Sequence, residues 1–230
     1  MNKNSGFTLI ELLVAMSLLS MIVLVGSSAF GLFAQRWDGR LGNFDIKMKN
    51  TQHILLVQDV LSSLVPYLAL NQKGNPVTYF EGNRNGFVSV ASKSIFSPGD
   101  YAVVRFSVEQ NPDMSFDVLY EEWPMDESIL VSTGKALDFS EPLILFKSVY
   151  APVFEYYGWS DVLDRPSEDR PLTSPRWTEQ YDAVVAFFAP LKARLSFKNA
   201  LGDYVIVSTL AGQSDEIVGR YQVGPDDCNC

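Results

Sequence analysis

Glu11 is the only charged side chain in a long apolar run near the start of the chain, at residues 7–34. An ionisable group at the centre of a membrane costs about 2.5 to 3.5 kcal/mol on insertion scales, so a carboxylate in such a segment indicates a function and needs a counter-ion. The nearest cations along the chain lie outside the run. A cut after Gly6 would create an amine on Phe7, and the Phe7 amine of a neighbouring, axially shifted copy could pair with Glu11.

The same run is long enough to cross a bilayer as a helix. Its 28 residues would span roughly 42 Å, whereas a hydrocarbon core of ~30 Å needs about 20 residues. Two simpler interpretations stay open. One is a secretory signal peptide, with Lys3 as its positive end and Ser27-Ser28-Ala29 as its cleavage site. The other is a plain single-pass anchor in which Glu11 lies near the interface.

The stretch Gly6-Phe7-Thr8-Leu9-Ile10-Glu11-Leu12-Leu13 resembles the class III signal of type IV pilins and type II secretion pseudopilins. The resemblance implies that a prepilin peptidase cuts between Gly6 and Phe7 on the cytoplasmic side. It also implies that Phe7 is N-methylated and that Glu11 serves assembly. A protein of this kind would cross the bacterial inner membrane once and place its C-terminal domain in the periplasm.

Within that superfamily the chain is most similar to a J-type (GspJ-like) minor pseudopilin. The similarity lies in Gln58-Asp59-Val60-Leu61, in Phe154-Glu155-Tyr156-Tyr157-Gly158-Trp159 and in an alternating final hairpin. It implies a pseudopilus tip complex with I-type and K-type minor pseudopilins, contact with the major pseudopilin, and a role in protein secretion. A minor pilin of a type IV or MSHA-like pilus, acting in fibre initiation, adhesion or DNA uptake, shares the same signal and a similar size.

Composition argues against several other functions. The net charge of −9 disfavours a nucleic-acid surface, which needs a basic patch. No catalytic constellation occurs: the lone histidine, His53, has no nucleophile pattern beside it, and the adjacent Glu121 and Glu122 would point to opposite faces of a strand. We therefore expect a non-enzymatic protein without a cofactor. A secreted or membrane-tethered ligand-binding β domain is the alternative from another class.

Metal binding has only weak candidates. Asp161, Asp164, Glu168 and Asp169 lie in an irregular, proline-containing stretch at 160–180, and their oxygen atoms suit a hard cation such as calcium. The ordered spacing of a calcium loop is missing, so a solvated acidic loop is the competing interpretation.

Two cysteines, Cys228 and Cys230, lie in the last three residues of the chain. One residue between them would make an intrachain disulfide very tight. Free thiols on a frayed tail, an intermolecular bridge and a weak metal pair remain the alternatives, and we favour the frayed tail.

The expected organisation is a leader at 1–6, whose end the resemblance implies, a transmembrane and assembly helix at 7–34, an amphipathic helix half at 35–65, a β-rich domain at 66–225 and a flexible cysteine-containing tail at 226–230. Pro66 should end the helix near Val65. The apolar stripe of the amphipathic half is predicted at Leu41, Phe44, Met48, Leu55, Leu61, Leu64 and Val65.

Strand-like segments follow the helix, which predicts an α+β, pilin-like fold with an antiparallel sheet packed on the amphipathic half. Two hairpins are indicated, one around the turn-like Asn111-Pro112-Asp113 and one around residues 199–203. The predicted strands are 86–92, 101–109, 115–123, 129–132, 143–149, 153–159, 181–188, 191–197 and 204–210.

Overall fold

The structure is a computed structural model that describes residues 8–125, 129–159, 161 and 174–210, without the side chains at 35–46. Its first element is the helix α1, Leu9–Ser62. It contains 54 residues. No proline interrupts it, and leucine, methionine and alanine favour the helical backbone. The chain divides into two compact units, Met1–Lys49 and Asn50–Cys230.

The end of α1 lies three residues before the predicted Val65. The amide of Ser63 still donates to the carbonyl oxygens of Asp59 and Val60, at 3.1 and 3.0 Å. The next residues form strand β1, Leu64–Val65, which pairs antiparallel with a neighbouring strand. Pairing with the sheet therefore removes these residues from the helix before Pro66 can end it.

The stripe by which α1 packs on the sheet differs in part from the prediction. Val57, Val60 and Leu61 are fully or almost fully buried, and Ile54 packs against them. Leu55, which was predicted to belong to the stripe, is 59% exposed. Residues 54, 57, 60 and 61 are three or four positions apart or adjacent along one helix face. Residue 55 directly follows residue 54, and its side chain therefore points away from that face.

The second unit contains an antiparallel sheet of many strands. The strands after β1 are β2 Leu68–Leu70, β3 Pro76–Thr78, β4 Phe80–Asn83, β5 Gly86–Ala91, β6 Ala102–Gln110, β7 Phe116–Pro124, β8 Leu143–Gly158, β9 Arg176–Thr178, β10 Tyr181–Asp182, β11 Lys192–Asn199 and β12 Gly202–Thr209. The path through the main sheet is β10-β4-β5-β6-β7-β8-β11-β12, with β1 paired to β5 and β9 paired to β8, and β2 and β3 form a small second sheet. The α+β architecture of a helix followed by an antiparallel sheet domain is thus confirmed.

Two strands were predicted at 143–149 and 153–159, but the structure has one bent strand there, β8, of 16 residues. Ser148 and Ala151 have φ values of 53° and 46°, in the left-handed region that non-glycine residues rarely adopt. The amide of Ser148 donates to Asp117 Oδ1 at 2.8 Å, which holds the first of these residues in place. The bend lets β8 pair with β7 through its first half and with β11 through its second half.

Two further strand predictions are wrong. Tyr181–Asp182 is a short strand, but the next residues form a helical turn, α2, Ala183–Ala186. Asp182 caps this turn by accepting a 2.8 Å hydrogen bond from the amide of Val184, as capping aspartates do. Residues 129–132 contribute no strand, and Ser132 makes only an isolated parallel bridge to Leu70.

The core lies between the helix stripe and one face of the sheet. It is rich in stacked or edge-on aromatic rings, including Phe87, which lies 5.0 Å from Phe106 between ring centroids. A smaller cluster covers the other face around Ala69, Val90 and Leu130. Both faces of the central strands are therefore covered, which agrees with the near-continuous apolar character of β5.

Candidate assembly site at the start of the first helix

Glu11 lies in the first turn of α1, where the helix dipole favours a negative side chain. The carbonyl oxygen of Thr8 accepts hydrogen bonds from the amides of Glu11 and Leu12, at 3.1 and 3.3 Å, and so closes the first turn. The side chain of Glu11 is exposed. Within residues 8–125, 129–159, 161 and 174–210 no cation forms a salt bridge with this carboxylate.

Three serine hydroxyls of this helix segment are satisfied within the helix. The hydroxyls of Ser17, Ser20 and Ser28 donate to carbonyl oxygens three or four residues earlier, at 2.8 to 3.0 Å. Such back-bonding lets a serine lie in an apolar environment. Among the described residues no equivalent hydrogen bond is made by the Glu11 carboxylate.

The helix from Leu9 to Ala34, 26 residues, is long and apolar enough to cross a membrane. None of its most apolar stretch is buried against other parts of the protein. Leucine, isoleucine, valine and phenylalanine side chains are exposed all round it. An all-round apolar helix is typical of a membrane span or of a helix covered by other subunits, so the segment indicates membrane anchoring.

The other predicted site residues have mixed outcomes. Gly6 and Phe7, the proposed cleavage and methylation positions, lie outside the described residues, as do Asp164, Glu168, Asp169 and the two cysteines. Asp161 is described and is half-buried. In the described part of the chain no three histidine, cysteine or acidic side chains come together as a metal site would require.

The residues that most resemble catalytic groups have structural partners. His53 Nδ1 is hydrogen-bonded to the carbonyl oxygen of Leu145 in β8. Glu121 accepts two hydrogen bonds from Arg105, on the opposite side of β7 from Glu122. Both contacts join neighbouring elements of the fold.

Glu122 is a buried carboxylate. From the sequence we predicted only that it points to the opposite face of the strand from Glu121. The Oε2 atom of Glu122 accepts hydrogen bonds from the amides of Ile95 and Phe96, at 3.0 and 3.1 Å, and from the Tyr120 hydroxyl at 2.6 Å. Burial, reinforced by the bond to Glu122, raises the pKa of Tyr120 well above its ordinary value. The group fixes the loop after β5, and no local sequence signal shows that this loop returns to β7.

The first 27 residues match the family described as the prokaryotic N-terminal methylation motif. No curated protein matches the chain. The motif match supports the type IV pilin-like superfamily, which includes the pseudopilins. Proteins of this class are in general structural and non-enzymatic; they assemble with other pilin-like subunits and are processed by a prepilin peptidase.

Proposed function

We propose that this chain is a minor pseudopilin of a type II protein secretion system. It would be a J-type subunit at the pseudopilus tip, assembled with I-type and K-type minor pseudopilins above the major pseudopilin. A prepilin peptidase would cut between Gly6 and Phe7 and Phe7 would be N-methylated. The helix would lie in the inner membrane and the β-rich domain in the periplasm, and the protein would act in export across the outer membrane.

The observation that carries the proposal is Glu11, the one charge on an apolar helix whose first residues match the methylation motif. After cleavage, the new amine of a neighbouring subunit would supply the missing counter-ion. Opposite charges about 4 Å apart attract by about 4 kcal/mol at an effective dielectric constant of 20. This attraction would select one axial offset between neighbouring helices, because other offsets leave the carboxylate unpaired.

The assignment to the J type is supported by the three sequence similarities described above. The minor pilin of a type IV or MSHA-like pilus remains the second candidate, because the same motif and the same exposed helix support it equally. Loss of the protein would impair the secretion of folded substrates in the first case, and surface fibres or DNA uptake in the second. In the secretion system no nucleic acid is expected as a partner.

The test uses the full chain in its host. Glu11→Ala and Glu11→Gln should leave the protein in the membrane fraction, since removing the charge makes insertion easier. Both should reduce co-purification of other pilin-like subunits by roughly tenfold or more, which corresponds to about 1.4 kcal/mol of lost interaction. Secretion should fall in parallel, and loss of surface fibres with intact secretion would assign the protein to a pilus instead.

Ser17→Ala is the matched control, because it removes a polar side chain from the same helix without changing charge. It should assemble normally. Normal co-purification and secretion with Glu11→Ala would contradict the charge-pairing proposal. Mass spectrometry of the mature N-terminus distinguishes a pilin-like subunit from a tethered or secreted ligand-binding domain. N-methylated Phe7 supports the pilin-like subunit, whereas a start near Phe30 or retention of Met1 supports the ligand-binding domain.

A further inference from the structure

Strand β12 is the last strand on one side of the main sheet, and no described strand pairs with its outer edge. Its side chains alternate: Ile206 and Ser208 are buried, whereas Val205 and Val207 are 63% and 41% exposed. An edge strand is normally protected by lysine, proline or a bulge. Residues 204–210 contain neither a proline nor any charged side chain, and Asp203 is the one charged residue of β12, so most of this edge lacks the usual protection.

The backbone groups of β12 alternate in direction as well. The amide of Leu210 donates to the carbonyl oxygen of Leu191 at 3.0 Å, on the β11 side. Antiparallel alternation then directs the amides of Val205 and Val207 away from β11. These outward groups have no hydrogen-bond partner among the residues that the structure describes. They form a template on which an extended segment can add by main-chain hydrogen bonds.

Charge near this edge indicates what the added segment carries. Lys192 lies directly opposite Thr209 in the β11–β12 register. Its Nζ lies 5.7 Å from the ring centre of Tyr157 and forms no salt bridge within the described part of the chain. A residue opposite Thr209 on an added strand would lie two strand spacings from Lys192, roughly 10 Å between backbones, on the same face. At the other end Asp203 is already paired with Lys198 at 3.2 Å.

We propose that the outer edge of β12 binds an extended segment of a partner protein by antiparallel strand addition. The segment would place β-branched apolar residues opposite Val205 and Val207 and an acidic residue opposite Thr209, within side-chain reach of Lys192. The rest of the main sheet is antiparallel throughout, and an added antiparallel strand continues that pattern. The proposal goes beyond assembly through Glu11, since it assigns a separate surface to a separate partner.

A second copy of the chain fits this edge poorly. Two copies joined antiparallel through β12 would be related by a two-fold axis normal to the sheet. The one acidic residue that the second β12 could bring near Lys192 is Asp203, and Asp203 is already paired with Lys198 at 3.2 Å.

The experiment uses the full chain in detergent micelles and a synthetic probe, acetyl-Glu-Thr-Val-Thr-Val-Thr-amide carrying a fluorophore. Binding is followed by fluorescence anisotropy and by hydrogen exchange of the β12 amides. We expect saturable binding that slows exchange at Val205 and Val207. Val207→Pro removes an outward donor while keeping the bonds to β11, and should weaken binding roughly tenfold or more. Val207→Thr keeps the amide and a β-branched side chain, and should bind within about threefold of the parent chain.

The charge part of the proposal has its own variants. Replacing the probe's glutamate by lysine should weaken binding several-fold, and Lys192→Gln should remove that difference. An unchanged thermal midpoint of each variant establishes that the fold is retained. The measurement does not involve Glu11, so its outcome is independent of the assembly experiment.

Three results would overturn the proposal. The first is absence of probe binding, or binding that Val207→Pro does not weaken. The second is slow exchange of the Val205 and Val207 amides without probe that becomes fast when the chain is truncated after Leu210, because the chain's own C-terminal residues would then be the occupant. The third is slow exchange that is lost on dilution together with a dimer in light scattering, which would identify a second copy.

Discussion

The Nδ1 atom of His53 lies 2.5 Å from the carbonyl oxygen of Leu145, so the only histidine in the chain joins the end part of α1 to strand β8. The imidazole also meets the ring of Phe146 edge-on, with 6.3 Å between centroids. A polar side chain at a helix–sheet junction thus combines a hydrogen bond with an aromatic contact. Both contacts fasten α1 to β8.

His53→Ala should lower the free energy of unfolding by about 1 to 3 kcal/mol, because the carbonyl of Leu145 loses its side-chain donor in a partly buried position. Urea unfolding of the full chain in micelles, followed by tryptophan fluorescence, measures the change. Gln52→Ala is the control, since Gln52 is the exposed neighbour on the same helix. Equal midpoints for the two variants would show that the hydrogen bond contributes nothing to stability.

Alkaline pH should destabilise the domain through two buried tyrosines. Burial raises the pKa of Tyr120, with a further rise from Glu122, and burial also raises the pKa of Tyr156. In the unfolded chain both phenols titrate near pH 10. Below that value both states hold the proton and stability is unaffected; above it the unfolded state loses protons that the folded state retains, so stability falls as pH rises. The expected decline is up to roughly 1.4 kcal/mol per pH unit for each tyrosine.

Tyr120→Phe should make this alkaline decline shallower, because one of the two proton-retaining groups is gone. Absorbance at the phenolate wavelength, recorded with the unfolding transition, should show two tyrosines that ionise only when the domain unfolds. Titration of all tyrosines in the folded state near pH 10 would contradict the assignment. The same variant also loses the 2.6 Å bond to Glu122, so its stability at pH 7 gives the reference value.

The Arg105–Glu121 pair should couple more strongly than an ordinary surface ion pair. Arg105 donates from Nε and Nη2 to the two carboxylate oxygens, at 2.7 and 2.6 Å, and its guanidinium lies 4.1 Å from the ring centre of Phe139. The Glu121 side chain is only 13% exposed. A double-mutant cycle with Arg105→Lys and Glu121→Gln should give a coupling energy of about 1 to 2 kcal/mol, since lysine cannot form the bidentate pair.

The pair Lys198–Asp203 is the matched comparison for that cycle. Its side chains are 64% and 71% exposed at a distance of 3.2 Å, and its coupling should lie at roughly 0 to 1 kcal/mol because water screens the charges. Similar coupling in the two cycles would mean that burial and bidentate geometry add nothing at Arg105.

Gly6→Ala should block processing of the leader if the cut lies between Gly6 and Phe7. Immunoblots of membrane fractions would then show the full-length precursor, about six residues heavier than the mature protein, and mass spectrometry would find no methylated Phe7. Asn4→Ala, two residues upstream in the same leader, is the control and should be processed normally. A mature-sized product from Gly6→Ala would place the cut elsewhere.

The parts of the fold that the sequence predicted well are those whose contacts are local. Hairpin β6–β7 closes within one turn, where the amide of Asn111 donates to the carbonyl of Ser115 at 2.8 Å. Hairpin β11–β12 likewise joins Asn199 to Gly202 in direct register. Alternating side chains and turn residues specify such pairs without help from the rest of the chain.

Features set by distant contacts could not be predicted in this way. The left-handed backbone at Ser148 depends on Asp117 from another strand, so β8 was predicted as two pieces. The β-branched Val184 and Val185 favoured a strand at 181–188, but the capping Asp182 begins a helical turn there. The exposure of β12 as an edge depends on the strand order of the whole sheet, which alternation within β12 does not contain.

For the candidate site, Glu11 was predicted from its surroundings alone, because a single carboxylate among apolar residues is costly wherever the helix lies. The structure adds that it occupies the first helical turn and that the nearby serines are satisfied by their own backbone. Its pairing with a Phe7 amine stays a prediction, since that contact would join two molecules.

Strand β8 also determines how the domain would bear mechanical load. It is hydrogen-bonded to β7 through one half and to β9 and β11 through the other. The carbonyl oxygen of Leu145 in β8 also accepts the hydrogen bond from His53 of α1. A load that reaches β8 through this hydrogen bond would act on a strand held on both flanks. Those flanking bonds resist in shear and must rupture nearly together, so the domain should yield at high force and in one step.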